Sequence, residues 1–117
     1  MHEYSIAQSM MQIVLAEAEK AKARKVVKVF LKIGDLAGVF PDSLSFCFDF
    51  LAKGTLAEGA LLTIEKVPVR GYCPHCNRDF LVEEHQYLCK ECENPKIELT
   101  TGRELQIHHL EIEDEAD

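Results

Sequence analysis

The sequence has no apolar run long enough to span a bilayer, and its first residues lack the pattern of a signal peptide. Basic residues are also scarce, since 13 lysines and arginines stand against 20 aspartates and glutamates for a net charge of −7. Proteins that bind the phosphate backbone gather lysine and arginine on one face, so this balance argues against nucleic acid as a partner. We therefore expect a cytoplasmic protein that binds neither nucleic acid nor a membrane.

Recognisable catalytic patterns are missing as well. The sequence shows no Ser/His/Asp triad, no paired-carboxylate site and no phosphate-binding loop. We therefore predict that the chain is not an enzyme. Its 117 residues, 47% of them hydrophobic, are enough for one modest core of a folded protein.

Four of the five cysteines form two Cys-x2-Cys pairs, Cys73–Cys76 and Cys89–Cys92, with twelve residues between the pairs. Each pair can close a tight turn that directs two sulfurs at one point, and four thiolates in a tetrahedron suit structural Zn²⁺. The spacing predicts zinc bound by Cys73, Cys76, Cys89 and Cys92, with one hairpin between the pairs. Disulfides, a redox pair and a rubredoxin-like iron site remain as alternatives. Rubredoxin turns usually carry glycine after the second cysteine, whereas Asn77 and Glu93 stand there in this chain.

Two amphipathic helices are predicted. The first covers residues 5–23, because Ser5 and Gln8 form a capping box and apolar residues recur at helical spacing behind them. The second begins at Pro41 and ends at Gly54. The residues assigned to the two apolar faces are Ile6, Met10, Ile13, Val14, Ala18 and Ala21, then Leu44, Cys47, Phe48 and Leu51. Met10 and Met11 are interpreted as core residues and not as metal ligands, and Cys47 as a small buried residue.

Three strands are predicted, over residues 26–33, 61–69 and about 103–112. Val27, Val29, Leu31 and Ile33 would face the core in the first strand. In the last, the alternation changes phase at His108–His109, which indicates a bulge. We therefore predict an α+β fold in which a small mixed sheet and two helices carry an inserted four-cysteine zinc-ribbon module. The α+β domain would comprise residues 1–69 and 103–117, and the zinc-binding module residues 70–102.

The first three residues offer a second set of metal ligands. The Met1 amine, the amide nitrogens of His2 and Glu3, and the His2 imidazole can form fused chelate rings in one plane. A four-nitrogen square plane favours Ni(II) or Cu(II) over zinc. Most histidines at a second position are merely exposed, so the spacing alone leaves both interpretations open.

The combined motifs resemble those of the HypA/HybF family of nickel metallochaperones for hydrogenase maturation, over nearly the whole chain. The residues that carry the resemblance are Met1-His2-Glu3-Tyr4-Ser5, Ile33-Gly34-Asp35-Leu36, Val39-Phe40-Pro41-Asp42-Ser43-Leu44, both cysteine pairs, and Gly102-Arg103-Glu104-Leu105. The resemblance implies that His2 is the essential Ni(II) ligand, that Met1 and Glu3 add backbone nitrogens, and that the four cysteines hold Zn²⁺. It also implies nickel delivery, with a HypB-like GTPase, to the large subunit of [NiFe]-hydrogenase; a weak homodimer is left open.

The other histidines are not expected to be primary nickel ligands. His108 and His109 are neighbours on a predicted strand, where consecutive side chains point to opposite faces unless a bulge brings them together. His75 and His85 are expected at the surface or rim. Two other functions remain open, namely a zinc-ribbon module that binds protein or nucleic acid, and an electron-transfer protein with iron on the cysteines.

Overall fold

The computed structural model describes residues 3–114, which form two helices and six strands. The helices are α1 (Glu3–Lys20) and α2 (Pro41–Ala52). The strands are β1 (Ala23–Gly34), β2 (Leu61–Val67), β3 (Arg70–Cys73), β4 (Arg78–Leu81), β5 (Glu98–Thr101) and β6 (Leu105–Asp114). Over this part of the chain, neither helix combines the length and apolar character that crossing a membrane requires.

The strands form two three-stranded sheets, ordered β2-β1-β6 and β4-β3-β5. In the second sheet β3 pairs antiparallel with both neighbours, and its last residue Cys73 lies opposite Arg78 of β4. The predicted α+β class with two helices is confirmed. The prediction of a hairpin between the two cysteine pairs is wrong, because the hairpin β3–β4 encloses the first pair and only β4 lies between the pairs.

The described residues group into two compact units. The first holds Val39–Glu65 together with the described residues before Lys32 and after Leu105. The second holds Lys32–Gly38 and Lys66–Leu105, and therefore contains all four cysteines of the two pairs. The second unit thus includes the predicted zinc-binding module, residues 70–102, and short segments on either side of it.

The core of the first unit lies where α1 and α2 pack against each other. Its fully buried residues include Ala7, Val14, Ala18, Val26, Val29, Leu31, Leu44 and Phe48. Met10 and Met11 are each only 6% exposed, so their predicted role as core residues is confirmed. Three residues assigned to the core are exposed, since Ile13 is 53% and Val27 37% exposed and Ala21 is exposed as well. Cys47, predicted to be buried, is only half-buried.

The boundaries of α1 also differ from the prediction. The helix already includes Glu3, so Ser5 lies inside it and the predicted capping box is wrong. At the other end α1 stops at Lys20, because Lys22 turns the chain into β1 with a left-handed φ of 56°. The buried face of β1 also differs from the prediction, and here the reason is a contact with a distant part of the chain. Val26 is buried beside the chain that follows α2, where its N–H donates to the Leu56 carbonyl at 2.9 Å.

Gly34 allows a close backbone approach within the second unit. Its N–H donates to the Glu104 carbonyl at 2.7 Å, and the Leu36 N–H donates to the Gly102 carbonyl at 2.7 Å. A Cβ atom on Gly34 would lie 2.1 Å from the carbonyl carbon and oxygen of Gly102. Both clashing atoms belong to the backbone, so a side-chain rotation cannot relieve the contact.

We therefore expect Gly34→Ala to destabilise the second unit by about 3 kcal/mol or more, because overpacking against backbone forces the paired segments apart. Urea unfolding of the metal-loaded protein measures the effect. Gly38→Ala is the matched control, since Gly38 also lies at a turn but a Cβ there meets no atom within 4 Å. Its left-handed φ of 73° should cost only about 1 kcal/mol. Equal unfolding midpoints for the two variants would contradict the prediction.

Candidate metal centre

Each cysteine pair sits in a tight turn closed by the same backbone hydrogen bond. In the first turn the Asn77 N–H donates to the Cys73 carbonyl at 2.7 Å, and in the second the Glu93 N–H donates to the Cys89 carbonyl at 2.8 Å. Asn77 and Glu93 both adopt left-handed φ angles, 59° and 60°. Asparagine tolerates this conformation better than most residues, and the Tyr72 hydroxyl holds Asn77 in place by donating to its side-chain oxygen.

The left-handed φ angles of Asn77 and Glu93 bear on the choice between zinc and iron at the cysteine cluster. Glycine was expected after the second cysteine of an iron-binding turn because it reaches this conformation without strain. Asn77 and Glu93 reach the same conformation without being glycine. These turns can therefore have the same backbone shape as the glycine-containing turns of iron sites. The absence of glycine does not decide which metal the four cysteines bind.

The four sulfurs converge on one point. All four lie within 4.8 Å of one another, and they are the only such group of three or more His, Cys, Asp or Glu ligands among residues 3–114. The Cys73 and Cys92 sulfurs are 3.7 Å apart, and the Cys76 and Cys89 sulfurs 3.8 Å apart. A tetrahedron with metal–sulfur bonds of about 2.3 Å has edges of about 3.8 Å. A disulfide would need about 2.0 Å. The cluster thus fits a four-coordinate metal ion, and the disulfide alternative does not hold because all five cysteines are free.

The sulfurs differ in burial and in acidity. Cys73 and Cys89 are buried, whereas Cys92 is exposed. A hydrogen bond from the backbone of Cys92 lowers the pKa of Cys89 to about 7. The hydrogen bond between the side chains of Cys76 and Cys92, with burial, raises the pKa of Cys76 to about 12. The raised pKa favours the protonated form of Cys76 when no cation is bound. A divalent ion would supply the missing positive charge and displace the remaining protons.

An ion pair joins the two turns, between Arg78 after the first turn and Glu91 within the second, at 3.1 Å. Both side chains are largely exposed, so the pair contributes no more than about 1 kcal/mol. Apolar support comes from β3, where Gly71 leaves room for Phe80 and Ile97 to lie close to the backbone. No local pattern in the sequence indicates that Gly71 lies beside Phe80 and Ile97, so these contacts were not predicted.

Of the predicted nickel ligands, Met1 and His2 lie outside the described residues. Glu3 is described and is 4% exposed. Its carboxylate oxygen Oε2 accepts the Phe40 N–H at 3.2 Å, immediately before the first residue of α2. A carboxylate is favoured there by the partial positive charge of the helix N-terminus. Sequence reasoning assigned Glu3 only a backbone role and missed this bond, since nothing in the sequence relates two residues 37 positions apart.

The remaining histidines are separate from the cysteine cluster. The Nδ1 atom of His85 lies 3.2 Å from the Tyr87 hydroxyl, and His75 is exposed in the first turn. His108 and His109 do not point apart as neighbours on a regular strand would, because their Nδ1 atoms are 2.6 Å apart. The phase change predicted at this position is visible in β6, where Ile107 and Leu110, three residues apart, are both half-buried.

Known proteins match this chain over nearly its whole length. Residues 1–112 match the family model described as "Hydrogenase/urease nickel incorporation, metallochaperone, hypA". The hydrogenase maturation factor HypA of Dehalococcoides mccartyi strain 195 is 39% identical over 99% of this chain and 98% of its own length. That of Geobacter metallireducens is 42% identical over 97% of this chain and 100% of its own.

Two solved structures are also similar. The solution structure of the Ni metallochaperone HypA from Helicobacter pylori superposes with a TM-score of 0.70 at 26% identity, over 98% of this chain and 100% of that one. A second solution structure of a HypA protein gives a TM-score of 0.74 at 26% identity, over 98% of both chains. This family carries nickel and does not catalyse a reaction, so neither the nucleic-acid module nor the electron-transfer protein is supported. The chain belongs to the HypA family of hydrogenase-maturation nickel metallochaperones, and it contains a four-cysteine metal site.

Proposed function

We propose that this chain binds one Ni(II) ion through the Met1 amine, the backbone nitrogens of His2 and Glu3, and the His2 imidazole. Together with a HypB-like GTPase it then delivers the ion to the large subunit of [NiFe]-hydrogenase. The four cysteines hold a structural Zn²⁺. The chain has no phosphate-binding loop of its own, so GTP hydrolysis belongs to the partner.

The geometry of the cysteine cluster is the observation that carries this division of roles. Two of its sulfur–sulfur distances are 3.7 and 3.8 Å, which matches a closed tetrahedron with four protein ligands. A closed site has no open position at which a delivered ion could be passed to an acceptor. Zinc prefers this arrangement and does not change its oxidation state, so the cysteine-bound ion is structural and the cargo binds elsewhere. The first three residues offer a four-nitrogen set of ligands that suits Ni(II).

The contact of Glu3 supports the use of backbone nitrogen at this position. Its carboxylate is buried and engaged with the Phe40 N–H, so it is directed at the start of α2. A chain segment anchored in this way loses less conformational freedom when it wraps around a metal ion. Glu3 therefore serves the nickel site in two ways, with its backbone nitrogen as a ligand and its side chain as an anchor.

We expect His2→Ala to remove stoichiometric Ni(II) binding, because the imidazole closes the fourth position of the square plane. Isothermal titration of Ni(II) into the zinc-loaded protein measures this loss. His85→Gln is the control, since it removes an exposed imidazole whose Nδ1 atom lies beside the Tyr87 hydroxyl. In cells that lack their own copy of the gene, the control should restore hydrogenase activity and His2→Ala should not. Full nickel binding by His2→Ala would overturn the proposed nickel site.

A further inference from the structure

The pair His108–His109 forms a cluster of metal-binding groups that the proposed N-terminal site does not use. The two Nδ1 atoms face each other at 2.6 Å, and the ring planes are inclined at 73° with centroids 4.8 Å apart. Both side chains are exposed on β6, which lies at the edge of the sheet β2-β1-β6. An edge strand leaves room for a ligand to approach the two rings from solvent.

The orientation of the pair is held by the neighbouring strand. Phe30 of β1 stacks on the His109 ring with centroids 4.0 Å apart and planes inclined at 18°. This stack fixes the ring plane of His109, so its Nδ1 atom is directed at His108 without further ordering. Preorganised ligands bind with a smaller loss of side-chain freedom.

The close approach of the two nitrogens restricts what can lie between them. At 2.6 Å the two Nδ1 atoms cannot both carry a hydrogen, so one N–H donates to the other nitrogen, and a metal ion bound by both would take the place of that hydrogen. With metal–nitrogen bonds of about 2.0 to 2.1 Å and ligands at a right angle, the two nitrogens would be about 2.9 Å apart. A small rotation of the rings is enough to open the observed separation to that distance.

We propose that His108 and His109 form a second site for Ni(II), in which both imidazoles bind one ion through Nδ1. The choice of nickel among the metals that imidazole binds rests on the proposed function. The protein supplies only two ligands here, because residues 3–114 contain no group of three such ligands outside the cysteine cluster. The other coordination positions belong to water or to a partner that takes the ion. Binding is therefore weaker than at the four-nitrogen site, and it exchanges readily.

Charges of both signs lie near this site, since the Lys28 Nζ is 6.0 Å from the centroid of the Phe30 ring that stacks on His109, and acidic residues follow the histidine pair. Glu111, Glu113 and Asp114 follow the histidine pair on the same strand. Arg24 neutralises one of them through its contact with Glu113 at 3.5 Å. The chain as a whole carries a net charge of −7, which raises the local concentration of divalent cations.

The test uses zinc-loaded protein with Gly-Ser added before Met1, so that the proposed N-terminal site is disabled. Ni(II) is titrated while the ring signals of all histidines are followed by NMR. Nickel bound by two imidazoles and water is paramagnetic, whereas a planar four-nitrogen complex is diamagnetic. We expect the signals of His108 and His109 to broaden first and those of His85 to remain sharp. Calorimetry should show one weak binding step, which disappears in the His108→Gln/His109→Gln double variant.

The Phe30→Leu variant tests whether the stacked Phe30 ring preorganises the site or whether the two imidazoles bind nickel independently of it. It keeps both ligands and removes the stack on His109, so the weak step should lose about tenfold in affinity. Uniform broadening of all histidines, or no broadening, would overturn the second site. The proposed N-terminal site is tested by a different comparison. It would be overturned if the extended and native proteins bound nickel with equal affinity. In protein without the extension, the double variant should leave the tight nickel step almost unchanged.

Discussion

A Gly-Ser extension placed before Met1 is expected to abolish tight Ni(II) binding while leaving the zinc content and the fold unchanged. The extension converts the Met1 amine into an amide and moves the free amine two residues away. The fused chelate rings of the square plane then lose their first nitrogen. The α1 core, from Ala7 to Ala18, and the cysteine cluster lie outside the altered segment and should not respond.

Titration of Ni(II) into native and extended protein, side by side, measures this effect through the absorption of the planar complex. The matched control carries the same Gly-Ser addition after Asp117, which changes the length but not the amine. Equal affinities of the native and N-terminally extended proteins would exclude the amine as a ligand. A side-chain site would then replace it, with His2 joined by Asp42 in the first turn of α2, because the Glu3 carboxylate is engaged with Phe40.

The Cys73→Ser/Cys76→Ser double variant is expected to lose its zinc and to lose ordered structure over residues 70–101. Structural zinc contributes on the order of 10 kcal/mol to folding in modules of this kind. Among the described residues, the second unit buries few apolar side chains besides the cysteines, chiefly Ile33 and Val69. It therefore cannot replace the metal with its own core.

The first unit should survive the same substitution. Its core includes Val14, Leu44 and Phe48, and the four cysteines of the two pairs belong to the other unit. Metal analysis by mass spectrometry and backbone NMR report the two outcomes separately. Cys47→Ser is the matched control, since Cys47 is a free, half-buried cysteine outside the cluster and should keep one zinc per chain. A zinc content unchanged in the double variant would refute the assignment of these ligands.

The sequence by itself determined the features that depend on neighbouring residues. Cysteines separated by two residues predict a turn that directs both sulfurs inward, and the structure brings all four sulfurs within 4.8 Å. Proline at the start of α2 and glycine after its end predicted its limits to within two residues, because both act on the local backbone. The phase change in β6 was predicted for the same reason, since the alternation of side chains is a local property of a strand.

Only the tertiary structure decided which distant residues meet. The bond from the Phe40 N–H to Glu3, the stack of Phe30 on His109, and the backbone approach of Gly34 and Gly102 each join separate segments of the chain. The alternation predicted Val27 as a buried residue of β1, but the structure buries Val26 and leaves Val27 37% exposed. Burial depends on what the neighbouring elements cover, and that is fixed only when the whole chain has folded.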